Sequence, residues 1–251
     1  MKKYIGVALL LVAVYLVSLV ATTPLSVALN YLPIPKQLKL NHPSGSVWQG
    51  ELLSVDTPNL TLHDVSWNFK PASLLLGRLA VDIKLGKGQQ LQGQGQAGLN
   101  FSGWFLKDWQ LEAPASWVVE QVPMPLPISV EGDIQLALTN ASQGSPWCEQ
   151  LQGQLMWLGP LVGTPLGELD LDNAKADLSC NEGQPSIALK HSDKQLELEL
   201  LASVGQPNWL AEGKIKAGAD MPSSLSNNLK YIGRPDPQGF YRFKQQGRLP
   251  R

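Results

Sequence analysis

The side chains in this chain that could do chemistry are few and far apart. Its histidines are His42, His63 and His191, and its cysteines are Cys148 and Cys180. General acid–base catalysis needs a titrating group within hydrogen-bond reach of the proton it moves, so the histidines come first. His63 lies beside Asp64, but alternation through Leu60, Leu62 and Val65 places it on a polar strand face or in a bulge, as a solvated histidine. Asp170 and Asp172 point the same way on a strand, as paired carboxylates would, and read more simply as the wet side of an alternating segment. No Gly-x-Ser-x-Gly elbow, His-Glu-x-x-His pair or phosphate-cradling glycine loop occurs. Gln94-Gly95-Gln96 sits in a strand pattern and not at a helix start, which argues against phosphate binding. The eight tryptophans are spread along the chain. They read as packing residues whose indole N–H groups find partners, and not as a sugar-stacking strip. These residues assemble no catalytic, metal or cofactor site, and the chain is not expected to be an enzyme.

Neither cysteine has a histidine neighbour or a Cys-x-x-Cys partner, so metal and redox roles lack support. In an oxidising compartment a lone pair forms a disulfide, here Cys148 to Cys180 across two strands; the alternative is two buried free thiols. Closing a loop of about 32 residues would contribute roughly 3–4 kcal/mol on the chain-entropy estimate.

The compartment is read from the N-terminus. Lys2 and Lys3 precede an apolar run from Tyr4 to Ala21 that carries no charge. As a helix it would span roughly 27 Å, close to the hydrocarbon thickness of a bilayer. A cleaved secretory peptide is the alternative, but Leu19-Val20-Ala21 puts a bulky residue where small-x-small is wanted. The expectation is an uncleaved signal anchor over about residues 4–22. The lysines would stay cytoplasmic, and the rest of the chain would lie outside the cytoplasm, held to the membrane by a single pass.

The elements beyond the anchor read as strands. The chain of 251 residues has a formal charge of −1, so it offers no basic excess to nucleic acid. Charged residues make up 16% and apolar ones 43%, with abundant Gly and Pro, which suits an extracytoplasmic β protein and not a disordered one. Leu79-Val81-Ile83-Leu85 alternate with Ala80, Asp82 and Lys84. From Leu91 to Phe101 one face carries Leu, Gly and Ala, and the other carries Gln92, Gln94 and Gln96. Ile134–Leu138, Leu169–Leu171, Ile187–Leu189 and Leu196–Leu200 repeat the pattern, and a phase slip between Leu62 and Val65 predicts a β-bulge. Short helical turns are predicted at Pro71–Leu76, Ala115–Gln121 and Pro222–Tyr231.

The chain also echoes itself. Trp67, Leu76-Gly77, Leu79 and Asp82 recur ninety residues on as Trp157, Leu166-Gly167, Leu169 and Asp172. A looser echo pairs Trp104 with Trp209. The expected fold is mainly β, with few short helices: an N-terminal transmembrane helix, then an elongated antiparallel sheet of two similar modules. The divisions expected are 1–35 for the cytoplasmic tip, anchor and linker, 36–125 for the first module and 126–251 for the second.

These features resemble the type II secretion system protein N family of Gram-negative bacteria. The resemblance rests on the lysine-tipped anchor, Pro43-Ser44-Gly45-Ser46-Val47-Trp48-Gln49-Gly50, the run from Val65 to Leu75, and the Gly77-Arg78-Leu79 and Gly167-Glu168-Leu169 strand starts. It implies an accessory inner-membrane component of the machine that moves folded proteins across the outer membrane. Its partners would be other subunits of the inner-membrane platform, with the bilayer held through the anchor. No catalytic residue carries over. The rival reading is a lipid-handling module similar to the AsmA-like group, whose one-side-apolar sheets curl into grooves.

Overall fold

The computed structural model describes residues 11, 12, 15, 18, 22–31, 35, 37–58, 60–86, 90–121, 128–205 and 208–248. The expected span at 4–22 lies almost wholly outside them. Among the described residues no helix is long and apolar enough to cross a membrane. The first described helix, α1, is short, Leu25–Tyr31.

The alternating segments become one sheet. Its strands are β1 (Lys39–Asn41), β2 (Ser44–Gly45), β3 (Gln49–Asp56), β4 (Thr61–Phe69), β5 (Leu79–Leu85), β6 (Gln92–Asn100), β7 (Gly103–Pro114) and β8 (Ser129–Gln143). They continue as β9 (Cys148–Thr164), β10 (Gly167–Asp170), β11 (Ala174–Asn181), β12 (Gln184–Ser192), β13 (Leu196–Val204), β14 (Asn208–Ala217) and β15 (Tyr241–Arg248). From β3 onward each strand pairs with its neighbour in sequence, except that β10 and β11 share the same edge of the long β9. Antiparallel pairing of sequence neighbours therefore explains the topology: most connections are short, and the two long ones, 115–128 between β7 and β8 and 218–240 between β14 and β15, carry short helical segments.

Register turns the period-two pattern into continuous rows. Leu85, Gly93, Leu111, Leu136, Leu155, Ala176, Leu189, Leu200, Gly213 and Phe243 stand opposite one another in turn, an apolar row from β5 to β15. One residue away on the other face, Glu51, Ser66, Lys84, Gln94, Gln110, Ala137 and Gln154 form a largely polar row. A one-residue slip anywhere would exchange the two faces, so the hydrophobic pattern specifies the register. Toward β15 the polar face carries cross-strand ion pairs, Lys214–Glu199 at 3.2 Å, Lys216–Glu197 at 3.3 Å and Lys244–Glu212 at 3.2 Å. Being at least partly exposed, these contribute to pairing choice more than to stability.

Tryptophan and glycine act together in this sheet. Trp67 stands opposite Gly50, its ring over the bare glycine and its Nε1–H donating to the Val47 carbonyl at 2.9 Å. Trp109 lies across Gly95 in the same way and donates to the Gln96 carbonyl at 2.8 Å. Trp157 donates to the Glu131 carbonyl at 3.0 Å. An indole laid over a neighbouring glycine fills the space where a side chain is missing and satisfies its own donor.

The irregularities differ from the expected one. Between Leu62 and Val65 no residue is inserted: pairing keeps one register on both sides, and Asp64 absorbs the slip at φ 49°. Register shifts fall elsewhere: three along the β8–β9 pair, and one between Gln94 and Gln96, where β7 carries an extra residue and Asp108 takes φ 52°. Pairing alone could reveal it, because Asp108 lacks the usual glycine signal. The three short helical turns occur, as a 3₁₀ segment at Pro71–Leu76, α2 at Ala115–Glu120, and α3 at Ser223–Ser226 followed by 3₁₀ at Leu229–Tyr231.

The sheet does not break where two modules were expected to meet. Residues 122–127 lie outside the described set, but on either side β7 and β8 pair along their length, Leu111 opposite Leu136. The two echo segments share a tryptophan that donates to a preceding carbonyl. They differ in the return, since β4 reaches β5 through the 3₁₀ segment and β9 turns directly into β10. Cys148, opening β9, is bonded to Cys180 near the end of β11, with Cα atoms 6.2 Å apart.

Candidate functional site

The histidines are held apart. His42 sits between β1 and β2 at φ 50°, and His63 is exposed on β4 opposite Ser54. His191 is buried at the end of β12, a placement the sequence pattern did not single out. Its Nε2 meets Asp193 Oδ2 at 2.7 Å, the arrangement of a base with its orienting carboxylate. Among the described residues no Ser, Thr or Cys is hydrogen-bonded to that ring, and its burial denies a substrate access.

Asp193 explains the pair as architecture. Its Oδ1 accepts the N–H groups of Gln195 at 2.7 Å and Leu196 at 2.6 Å, closing the β12–β13 turn. Its Oδ2 also accepts the Asp172 N–H at 3.0 Å, and Gln195 Oε1 accepts the Asp170 N–H at 3.2 Å. The turn thereby staples the gap between β10 and β11, while Asn173 Oδ1 accepts the Gly159 N–H at 2.9 Å. Burial alone would raise the Asp193 pKa. The N–H groups of Leu196 and Asp172, the His191 ring and the Gln195 N–H outweigh it and hold the carboxyl below its ordinary 3.8. A depressed folded pKa contributes stability above the unfolded value and loses it as pH falls through the folded one. Asp193→Ala should therefore cost about 2–3 kcal/mol at neutral pH, since buried donors lose a charged partner. The difference from wild type should shrink below about pH 4. Urea unfolding at pH 7 and pH 3 tests this; an equal deficit at both would refute it.

Asp170 and Asp172 are exposed, and their backbone N–H groups do the stapling. Gln94, Gly95 and Gln96 lie within β6, away from any helix start. Among the described residues no group of three or more His, Cys, Asp or Glu is placed to hold a metal.

A trough of about 1030 Å³ crosses β3 to β9. From β9 it takes Gln154 and Met156, which belong to the polar-face rows, and further in it meets Glu51, Lys84, Gln94 and Gln110. Most of these side chains are exposed. Such a wall can hydrogen-bond to an extended polar partner. Leu53, Val65, Leu85, Leu111 and Leu136 line it as well, so the wall is mixed in polarity.

A family model described as type II secretion system (T2SS), protein N matches residues 36–244. The type II secretion system protein N of Vibrio cholerae is 34% identical over 252 residues, covering 99% of this chain and all of the relative. That of Aeromonas hydrophila is 33% identical over 99% of this chain and 100% of its own length. That of Pectobacterium carotovorum is 30% identical over 88% of each. No solved structure matches.

Proposed function

Because this chain belongs to the type II secretion system protein N family, we propose that it is an accessory inner-membrane component of that system. In this reading residues 4–22 span the membrane, the sheet lies in the periplasm, and the protein acts by contact with other secretion subunits. The observation that carries it is the coincidence of the family match, 36–244, with the sheet, Lys39 to Arg248. The family match therefore covers nearly the whole sheet. A sheet of this size offers surface for docking, and its hydrogen-bonded polar residues serve turns and strand pairing.

The expected result of deleting the protein is impaired release of folded exoproteins, partial or complete, with no hydrolytic activity lost. Crosslinking in intact cells should capture other secretion subunits, and periplasm-dependent reporters fused after residue 40 should be active. Normal exoprotein release in the deletion strain, with only lipid recovered by crosslinking, would replace this reading with the lipid-handling one.

A further inference from the structure

One rim of the sheet carries apolar side chains held out into solvent, and the N-terminal segment arrives on that same rim. The Val47 N–H donates to the Thr23 carbonyl at 3.4 Å, and Pro24 bridges to Ser46 just before β3. The Phe69 N–H donates to the Trp48 carbonyl at 2.7 Å, and the two rings lie 4.8 Å apart, which extends the rim to the end of β4. There the 3₁₀ segment presents Leu74, Leu75 and Leu76 at 52%, 90% and 69% exposure. The β6–β7 turn adds Phe101 at 98%, with Leu99 and Trp104 also exposed. Phe101 lies against Gly77, so the segment and the turn form one patch.

This patch is built. Ser73 is buried, its hydroxyl donating to the Lys70 carbonyl at 2.6 Å and accepting the Ala80 N–H at 3.2 Å. Gly77 closes the segment at φ 68°. The loop thus fastens a serine inward and turns three successive leucines outward, the reverse of ordinary burial. Runs of exposed apolar residues are a liability unless something covers them.

The geometry points to a phospholipid surface as what covers this rim: Leu74–Leu76 and Phe101 dip into the membrane–water interface beside the N-terminal span. This rests on the membrane-span reading above. Residues 4–21 are apolar and join the sheet through Thr23 and Pro24 with no long linker, so the rim is the part of the sheet brought to the bilayer. Leucine and aromatic tips flanked by cations are the composition of interfacial segments. Here Lys70, paired with Asp82 at 2.9 Å, and exposed Arg78 flank the tips, within reach of anionic headgroups. The β12–β13 turn marks the opposite rim, one strand length away, or about 30 Å for nine residues.

The test uses the full chain, disulfide intact, reconstituted in vesicles of phosphatidylethanolamine and phosphatidylglycerol. Leu75→Cys, Phe101→Cys and, on the far turn, Lys194→Cys each carry an environment-sensitive fluorophore. Lipids bearing a nitroxide quencher should reduce the signal at least twofold at 75 and 101 and leave 194 unchanged. Equal, unquenched signals at all three positions overturn the proposal. So does shielding of 75 and 101 that appears only when other secretion subunits are added, since the patch then docks protein. Alkaline carbonate washing separates the two claims. Resistance without quenching overturns the rim contact alone, and release with quenching before the wash overturns the span and supports the contact.

Discussion

Trp109→Ala should cost about 3–5 kcal/mol, the ordinary cost of truncating a packed tryptophan. The ring does two jobs at once. It lies over Gly95 on the neighbouring strand, and its Nε1–H donates to the Gln96 carbonyl at 2.8 Å. Gly95→Ala should also destabilise, although alanine at most strand positions is no worse than glycine. A Cβ at Gly95 would fall within the Trp109 ring, against its Cγ and Cδ atoms. The two effects cannot add, because removing the ring removes the clash. In the double variant the Gly95→Ala penalty should vanish, an interaction of at least about 1 kcal/mol in a double-mutant cycle. Urea unfolding of the four proteins measures it, and strict additivity would show that the pair does not couple.

Replacing both cysteines, Cys148→Ala with Cys180→Ala, should lower stability by roughly 3–4 kcal/mol on the chain-entropy estimate for this loop. The bond ties the first residue of β9 to the end of β11, across a sequence separation of 32. Those strands already pair from Ala174 opposite Trp157 to Ser179 opposite Gln152. The bond therefore restrains the unfolded chain more than it positions the folded one, and the double variant should still fold. The single variants should fall at least as far, each leaving a thiol exposed to exchange on unfolding. Unfolding midpoints of oxidised wild type and the double variant test the size. Free alkylation of both thiols in oxidised, denatured protein from the periplasm would show that no bond forms in the cell.

Much of this architecture can be read from residue order. Leu79 to Leu85 and Leu91 to Phe101 alternate so regularly that strand and face follow, because a side-chain period of two admits only one buried face. Pro71 and Gly77 bracket the 3₁₀ segment by backbone preference alone, proline presetting φ at the start and glycine accepting φ 68° at the end. Family membership was legible too, through short motifs such as Gly45-Ser46-Val47-Trp48-Gln49-Gly50, most of whose residues lie at the β2–β3 corner where Trp67 covers Gly50. Asp64 misled because a phase slip in sequence looks the same whether a residue is inserted or one residue turns left-handed.

The sequence by itself determined the strands, their faces, the class of protein and the scarcity of chemical groups, since these depend on local periodicity and composition. Tertiary structure decided what depends on distant residues meeting. It brought Asp193 to the Asp172 N–H and the His191 ring, laid Trp109 over Gly95, and paired β7 with β8 to carry one sheet across the expected module boundary. It also gathered Leu74–Leu76 and Phe101 onto the rim where the N-terminal segment joins the sheet. The physical reason is that periodicity records which face a residue shares with its near neighbours. Which residue stands opposite, and what that pairing leaves uncovered, is settled only when backbone hydrogen bonds close between strands.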